Sequence, residues 1–175
     1  MLSNILVATD GSHTAKGAVD FAAELAAKLH VPLTIGHVLQ HGAATEELCR
    51  MAEVEHLVHH IAKQPQLQFA NVPSNMDAVF TGTLSLAERE RIIMVMGEEI
   101  VARAAGRAED KGAQNISTRI VDGDCAEGII EMASDVGADL IVIGRRGLGR
   151  VQRLFDGSVS QKVNQRAECT VAIVR

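Results

Sequence analysis

Five short strand-like segments, most of them apolar and most ended by turn residues, constrain the fold of this 175-residue chain more than any other feature. They are Ile5-Leu6-Val7-Ala8-Thr9, stopped by Asp10-Gly11-Ser12, then Val31 to Leu39, Ile116 to Val121, Asp139 to Gly144, and Thr170 to Val174. Runs of this length bounded by turn signals read as buried strands. Pro32 falls at the start of its run, where a missing N–H does little harm. Between the runs the apolar spacing changes to three and four. Ala15, Ala18, Ala22, Leu25, Ala26 and Leu29 mark a helix from about His13 to His30. Ser85-Leu86-Ala87-Glu88 is a capping box opening a helix that runs to about Lys111-Gly112. Further helices are expected over Ala126 to Val136 and from about Ser158 to Arg166.

Strands that are apolar without alternation are covered on both faces, and their regular exchange with helices predicts a parallel sheet between two helical layers. The expectation is an α/β fold, one domain over residues 1–175. The length agrees, since one core serves roughly 150 residues. The stretch 41–83 is longer than an ordinary connection. Its Ala44 to Lys63 part places Leu48, Met51, Val54, Leu57, Val58 and Ile61 at helical spacing, and Pro65 and Pro73 punctuate a loop after it. The stretch reads as a helical insertion.

Composition excludes several functions. Net charge is −5, and Phe supplies the whole 2% aromatic content, so neither phosphate-backbone binding nor base stacking has its usual materials. No nucleic-acid partner is expected. Cys49, Cys125 and Cys169 are scattered, without disulfide or metal-ligand spacing, which fits a reducing cytoplasm. The opening residues have no basic n-region and only a short apolar run, which reads against a secretory leader. No stretch reaches the ~18–20 apolar residues of a membrane helix.

In an open parallel sheet, ligands bind beyond the carboxyl ends of strands where the winding reverses. Two strand ends carry unusual residues: Thr9-Asp10-Gly11-Ser12, and Gly144-Arg145-Arg146-Gly147-Leu148-Gly149-Arg150 with Asp156-Gly157-Ser158 beyond it. Glycines admit close approach of backbone N–H groups, and a Gly-Ser pair at a helix N-terminus adds donors and the positive dipole end. Arg145, Arg146, Arg150 and Arg153 place four of 17 basic residues within nine positions, which a polyanionic ligand explains better than a solvated loop does. Asp10 alone could equally cap the following helix, and the glycines could serve plain turns. Neither a P-loop nor a dinucleotide fingerprint occurs: Gly123 to Gly128 has the P-loop glycine spacing but continues Ile129-Ile130.

Gly144, two residues, Gly147, nine residues, then Gly157-Ser158 resembles the G-x2-G-x9-G-[ST] motif of the nucleotide-binding branch of the universal stress protein family. Ile5 to Ser12 is similar to that family's first strand and turn, His37-Val38 to the end of its second strand, and Cys169 to Val174 to its closing strand. The resemblance implies a Rossmann-like, adenine nucleotide alpha hydrolase-like sheet of order 3-2-1-4-5 binding ATP between strands one and four, with ADP or AMP as alternatives. It implies that Ala8, Thr9 and Asp10 flank the adenosine, with Asp10 on the Mg or Mn and phosphate side. Val38 would contact adenine. Ile143, Gly144, Arg146 and Gly147 would line the ribose and phosphate loop, and Gly157, Ser158, Val159 and Ser160 would hold the triphosphate. Arg146 stands where many nucleotide-binding members carry His, and a longer cation still favours phosphate.

The function expected is a cytoplasmic, nucleotide-sensing regulatory protein of the stress response. Hydrolysis needs a positioned base and metal support, and Asp10 is the one acidic metal candidate, so at most slow hydrolysis or autophosphorylation is expected and no catalytic residue is assigned. The alternatives are a nucleotide-independent interaction module of the same fold and an adenylating ATP-pyrophosphatase, whose Ser-Gly-Gly-x-Ser loop Thr9 to Ser12 does not match. An unpaired apolar closing strand, Thr170 to Val174, predicts a homodimer through that edge, as the resemblance also implies. An unidentified protein would read the bound state. His56, His59 and His60 share a helical face but lack a carboxylate or Cys partner at fixed spacing, which favours a solvated face over a metal site. Cys169 reads as a small buried hydrophobe.

Overall fold

The computed structural model describes residues 2–39, 86–145 and 159–175. Its elements follow the strand–helix exchange: β1 (Ile5–Ala8), α1 (His13–Leu29), β2 (Leu33–Leu39), α2 (Leu86–Asp110), β3 (Ile116–Asp122), α3 (Cys125–Asp135), β4 (Leu140–Gly144), α4 (Val159–Arg166) and β5 (Thr170–Val174). The strands form one parallel sheet of order β3-β2-β1-β4-β5, the order expected. The insertion at 41–83, its histidines and the capping Ser85 lie outside the described residues, as does the loop over 146–158.

Local chemistry sets the helix ends. Ser12 takes extended backbone and its Oγ accepts from the Ala15 N–H, so α1 starts where the first turn ends. His30 closes α1 in the left-handed region, at φ 56°. The Asp124 carboxylate accepts from the N–H groups of Ala126 and Glu127 and begins α3; those bonds hold it below the usual carboxylate range. Among the described residues no helix is long and apolar enough to cross a membrane.

Alternate strand residues divide into two cores. Ile5, Val7, Leu33, Ile35, Leu140 and Val142 pack against α1 and α2, while Leu6, Ala8, Val38, Ile141 and Ile143 pack against α3 and α4. Every residue of β1 and β2 is buried, as the apolar runs require. The two edge strands differ from that expectation: β3 and β5 are only partly covered. Among the described residues each has a single neighbouring strand, and β3 carries Ser117, Thr118 and Arg119.

The chain winds twice. The helices after β1 and β2 lie on one face, those after β3 and β4 on the other. The connection from β1 leads to β2 and that from β4 to β5, so β1 and β4, paired in register Ala8 to Ile143, part company at their carboxyl ends. That is the crevice such sheets offer to ligands.

Candidate functional site at the carboxyl ends of β1 and β4

Beyond β1 the chain makes a turn braced at every residue. The Thr9 N–H donates to the Gly36 carbonyl of β2 at 2.9 Å. Thr9 Oγ1 accepts from the Gly11 N–H at 3.2 Å, and Asp10 Oδ1 accepts from the Ser12 N–H at 3.0 Å. Gly11 sits at φ 79°, in the left-handed region that glycine enters without steric cost. Thr9 and Ser12 are buried and Asp10 is half-buried, so the turn holds one carboxylate at the rim of the crevice.

Gly144 ends β4 directly against the start of α1. A Cβ there would lie 3.1 Å from both the carbonyl carbon and oxygen of Thr14 and 3.3 Å from the Ala15 nitrogen. These are backbone atoms and cannot rotate away, so only glycine lets the β1 turn and the β4 end approach this closely. The following residue is fixed from both sides: the Arg145 N–H donates to the Val174 carbonyl at 2.7 Å, and Ser160 Oγ donates to the Arg145 carbonyl at 3.3 Å. Ser160 is thereby buried in the first turn of α4, beside an exposed Val159.

Of the residues expected to form the site, Ala8, Thr9, Asp10, Ile143 and Gly144 are therefore brought together at neighbouring strand ends, with Val159 and Ser160 held to β4 through Arg145. Val38 lies one strand over, buried on the face covered by α3, where its methyls would meet a Cβ placed on Gly128 at 3.1 and 3.3 Å. Arg146, Gly147, Gly157 and Ser158 lie outside the described residues. A divalent cation fits this donor set only in one manner. Among the described residues no cluster of three or more His, Cys, Asp or Glu forms a cage, whereas one carboxylate, Asp10, can share a Mg that arrives on phosphate oxygens.

One polar residue near the site escaped the reading of the sequence. His37 of β2 is 3% exposed, and its Nδ1 lies 2.8 Å from the Thr9 carbonyl oxygen. A carbonyl can only accept, so Nδ1 carries the proton. Burial pushes the imidazole below its ordinary value, opposed in part by the Thr9 carbonyl and the Asp10 charge. The signal was available: a histidine inside an otherwise uninterrupted buried run, Leu33 to Leu39.

Comparison with known proteins decides the lineage. The family model described as the universal stress protein family matches residues 1–175. The chain belongs to the universal stress protein family. Among curated universal stress proteins, YxiE of Bacillus subtilis is 30% identical over 177 aligned positions, covering 100% of both chains. Solved universal stress proteins share the fold. One crystallised in complex with cAMP superposes with a TM-score of 0.60 at 24% identity, covering 99% of this chain and 97% of that one. Another, from Archaeoglobus fulgidus in complex with dAMP, gives 0.60 at 21% identity with both chains fully covered, 100% each.

Proposed function

We propose that this universal stress protein binds an adenine nucleotide, ATP with Mg or Mn, at the carboxyl ends of β1 and β4, and acts as a nucleotide-sensing regulatory protein of the stress response. The observation that carries the reading is the close approach of Gly144 to the Thr14 backbone, which puts the Asp10 turn beside the start of the G-x2-G-x9-G-S loop. Two universal stress proteins of the same fold have structures in complex with adenine nucleotides, cAMP and dAMP, which supports the ligand class. The assignment of Ala8, Thr9, Asp10, Val38, Ile143, Gly144, Arg146, Gly147, Gly157, Ser158, Val159 and Ser160 to the ligand follows the family resemblance. In it Asp10 takes the cation side, and the loop and the start of α4 take the phosphates. Bound cation would neutralise phosphate charge; the chain's own part is to orient and hold the ligand. Efficient turnover is not expected. The edge strand β5 is the surface of the proposed homodimer, in a cytoplasmic protein of one domain whose 41–83 insertion shields the ligand or docks a partner.

Denaturing the protein as purified, without added nucleotide, and identifying any released small molecule by mass spectrometry tests this directly. Released ATP supports the sensing role, and ADP or AMP points to turnover. An empty protein that also fails to bind Mg-ATP in titration overturns the proposal in favour of a nucleotide-independent module. In a binding-competent protein, Gly157→Val is expected to abolish Mg-ATP binding while leaving the melting temperature nearly unchanged.

A further inference from the structure

We propose that His37 is a positioning residue for the nucleotide site: its Nδ1–H on the Thr9 carbonyl fixes the turn that aims the Asp10 carboxylate. The inference rests on the nucleotide reading above and adds a residue that reading does not use.

The ring is placed so that one nitrogen does all its polar work. Nδ1 meets the Thr9 carbonyl at 2.8 Å, whereas Nε2 is buried and has no hydrogen-bond partner among the described residues. α2 presses on the ring's other side through Gly97. A Cβ at that glycine would lie 3.2 Å from Cδ2, 3.7 Å from Nε2 and 2.7 Å from Leu39 Cδ2. A leucine could occupy the same space without burying an acceptor such as Nε2, but it would leave the Thr9 carbonyl without this donor. What histidine supplies there, and an apolar side chain does not, is a single N–H aimed at Thr9.

Thr9 is where that N–H has the most effect. Its own N–H is already tied to Gly36 of β2, so the His37 contact pins the second side of the same residue to the same strand. From Thr9 the bracing continues link by link: Thr9 Oγ1 to Gly11, Asp10 Oδ1 to Ser12, Ser12 Oγ to Ala15, and the Thr14 backbone against Gly144. A carbonyl released at Thr9 lets the first link rotate, and the Asp10 carboxylate moves with it.

The test is isothermal titration of Mg-ATP into the wild type and the variants His37→Leu, His37→Asn and His37→Gln, with the apo melting temperature of each measured alongside. Asparagine can place its Nδ2 where Nδ1 stands, and glutamine carries its amide one bond too far. With a hydrogen bond to the turn worth roughly a factor of ten in affinity, His37→Leu and His37→Gln should bind about tenfold more weakly, and His37→Asn should recover to within about threefold. If leucine and glutamine variants move the melting temperature yet bind like wild type, the role is structural and the proposal fails. Should His37→Leu not fold, equal affinities for the asparagine and glutamine variants overturn it as well. Wild type that binds no Mg-ATP overturns the nucleotide reading itself, an outcome distinct from wild type and His37→Leu binding equally.

Discussion

The two faces of the sheet solve the same packing problem with different proportions of large and small residues. On the face covered by α1 and α2 most of the bulk is on the strands, as Ile5, Val7, Leu33, Ile35, Leu140 and Val142, and the helices answer mainly with alanines, Ala18, Ala22, Ala23, Ala26, Ala104 and Ala108, beside Val19 and Val101. On the face covered by α3 and α4 the strands have small residues, Ala8 and Gly36, among Leu6, Val38, Ile141 and Ile143, and the helices bring Ile129, Met132 and Val163 beside Ala126 and Ala133. Alanine-lined helices sit close and leave little to adjust. The second face depends instead on a few long side chains reaching down to small strand residues. It is also the face that Ala8, Val38 and Ile143 of the candidate site belong to.

That contrast can be broken most forcefully at Met132, which is fully buried over Gly36. Met132→Ala should cost about 2–5 kcal/mol in chemical denaturation, the range for emptying a core position. Gly36→Ala alone should also destabilise, because its Cβ would lie 2.9 Å from Met132 Cε and 3.1 Å from its sulfur. The double variant should cost clearly less than the sum, since the alanine methyl enters space the methionine vacated. Strict additivity would show that the two residues do not share one space and would dissolve the contrast.

The next test concerns a place where nothing flexible can yield. Gly144→Ala drives a Cβ against the Thr14 backbone and should cost about 1–3 kcal/mol, with no side-chain truncation restoring it. Its Mg-ATP affinity should fall further than that of Gly36→Ala.

A smaller effect is expected from pH. The His37 imidazole is held below its ordinary 6.5 by burial. Below about that pH the unfolded chain therefore takes up a proton that the folded protein refuses, and stability falls as pH falls toward the folded value. The slope contributed is at most about 1.4 kcal/mol per pH unit. Urea denaturation between about pH 7.5 and about pH 5.5 should show a steeper loss for wild type than for His37→Leu. Parallel curves would mean the ring is already accommodated when charged.

The smallest effect belongs to the surface between α1 and α2. Arg107 holds both carboxylate oxygens of Asp20, and Lys111 reaches Glu24 at 2.8 Å, all exposed or half-exposed. The lysine keeps the Glu24 carboxyl below its usual range. Asp20→Asn should cost no more than about 0.5 kcal/mol and less in high salt, because the alanine seam beneath the ion pairs holds this face together.

Much of the fold is legible in the sequence alone. β1, β2 and β4 announce themselves because strands covered on both faces have no solvent side to alternate with, and their spacing from the helices imposes the parallel order. β3 is legible only through its flanks, Ile116 and Ile120-Val121, since an edge strand tolerates Ser117 to Arg119. At the site, Gly144 is legible as part of a spacing. The spacing does not say which backbone comes near it; that depends on the register of Ala8 with Ile143, a property of two strands far apart in the chain. His37 is legible as a histidine inside a buried strand, but its place beneath the turn is not, for the same reason. A lone histidine in an apolar strand reads as core, and only the pairing of Ala8 with Gly36 places its ring under Thr9.

Asp139, at the threshold of β4, accepts from the N–H and hydroxyl of Ser3 and the N–H of Asn4, and so clasps residues 136 and 135 positions earlier. β1 is the middle strand of the sheet, and the β4 half of its ladder waits for residues that follow it by more than a hundred positions in the chain. On the ribosome the crevice has one wall. On the proposed reading nucleotide cannot be captured until β4 is in place, and a universal stress protein cut short before β4 would offer the cell an open-sided β1.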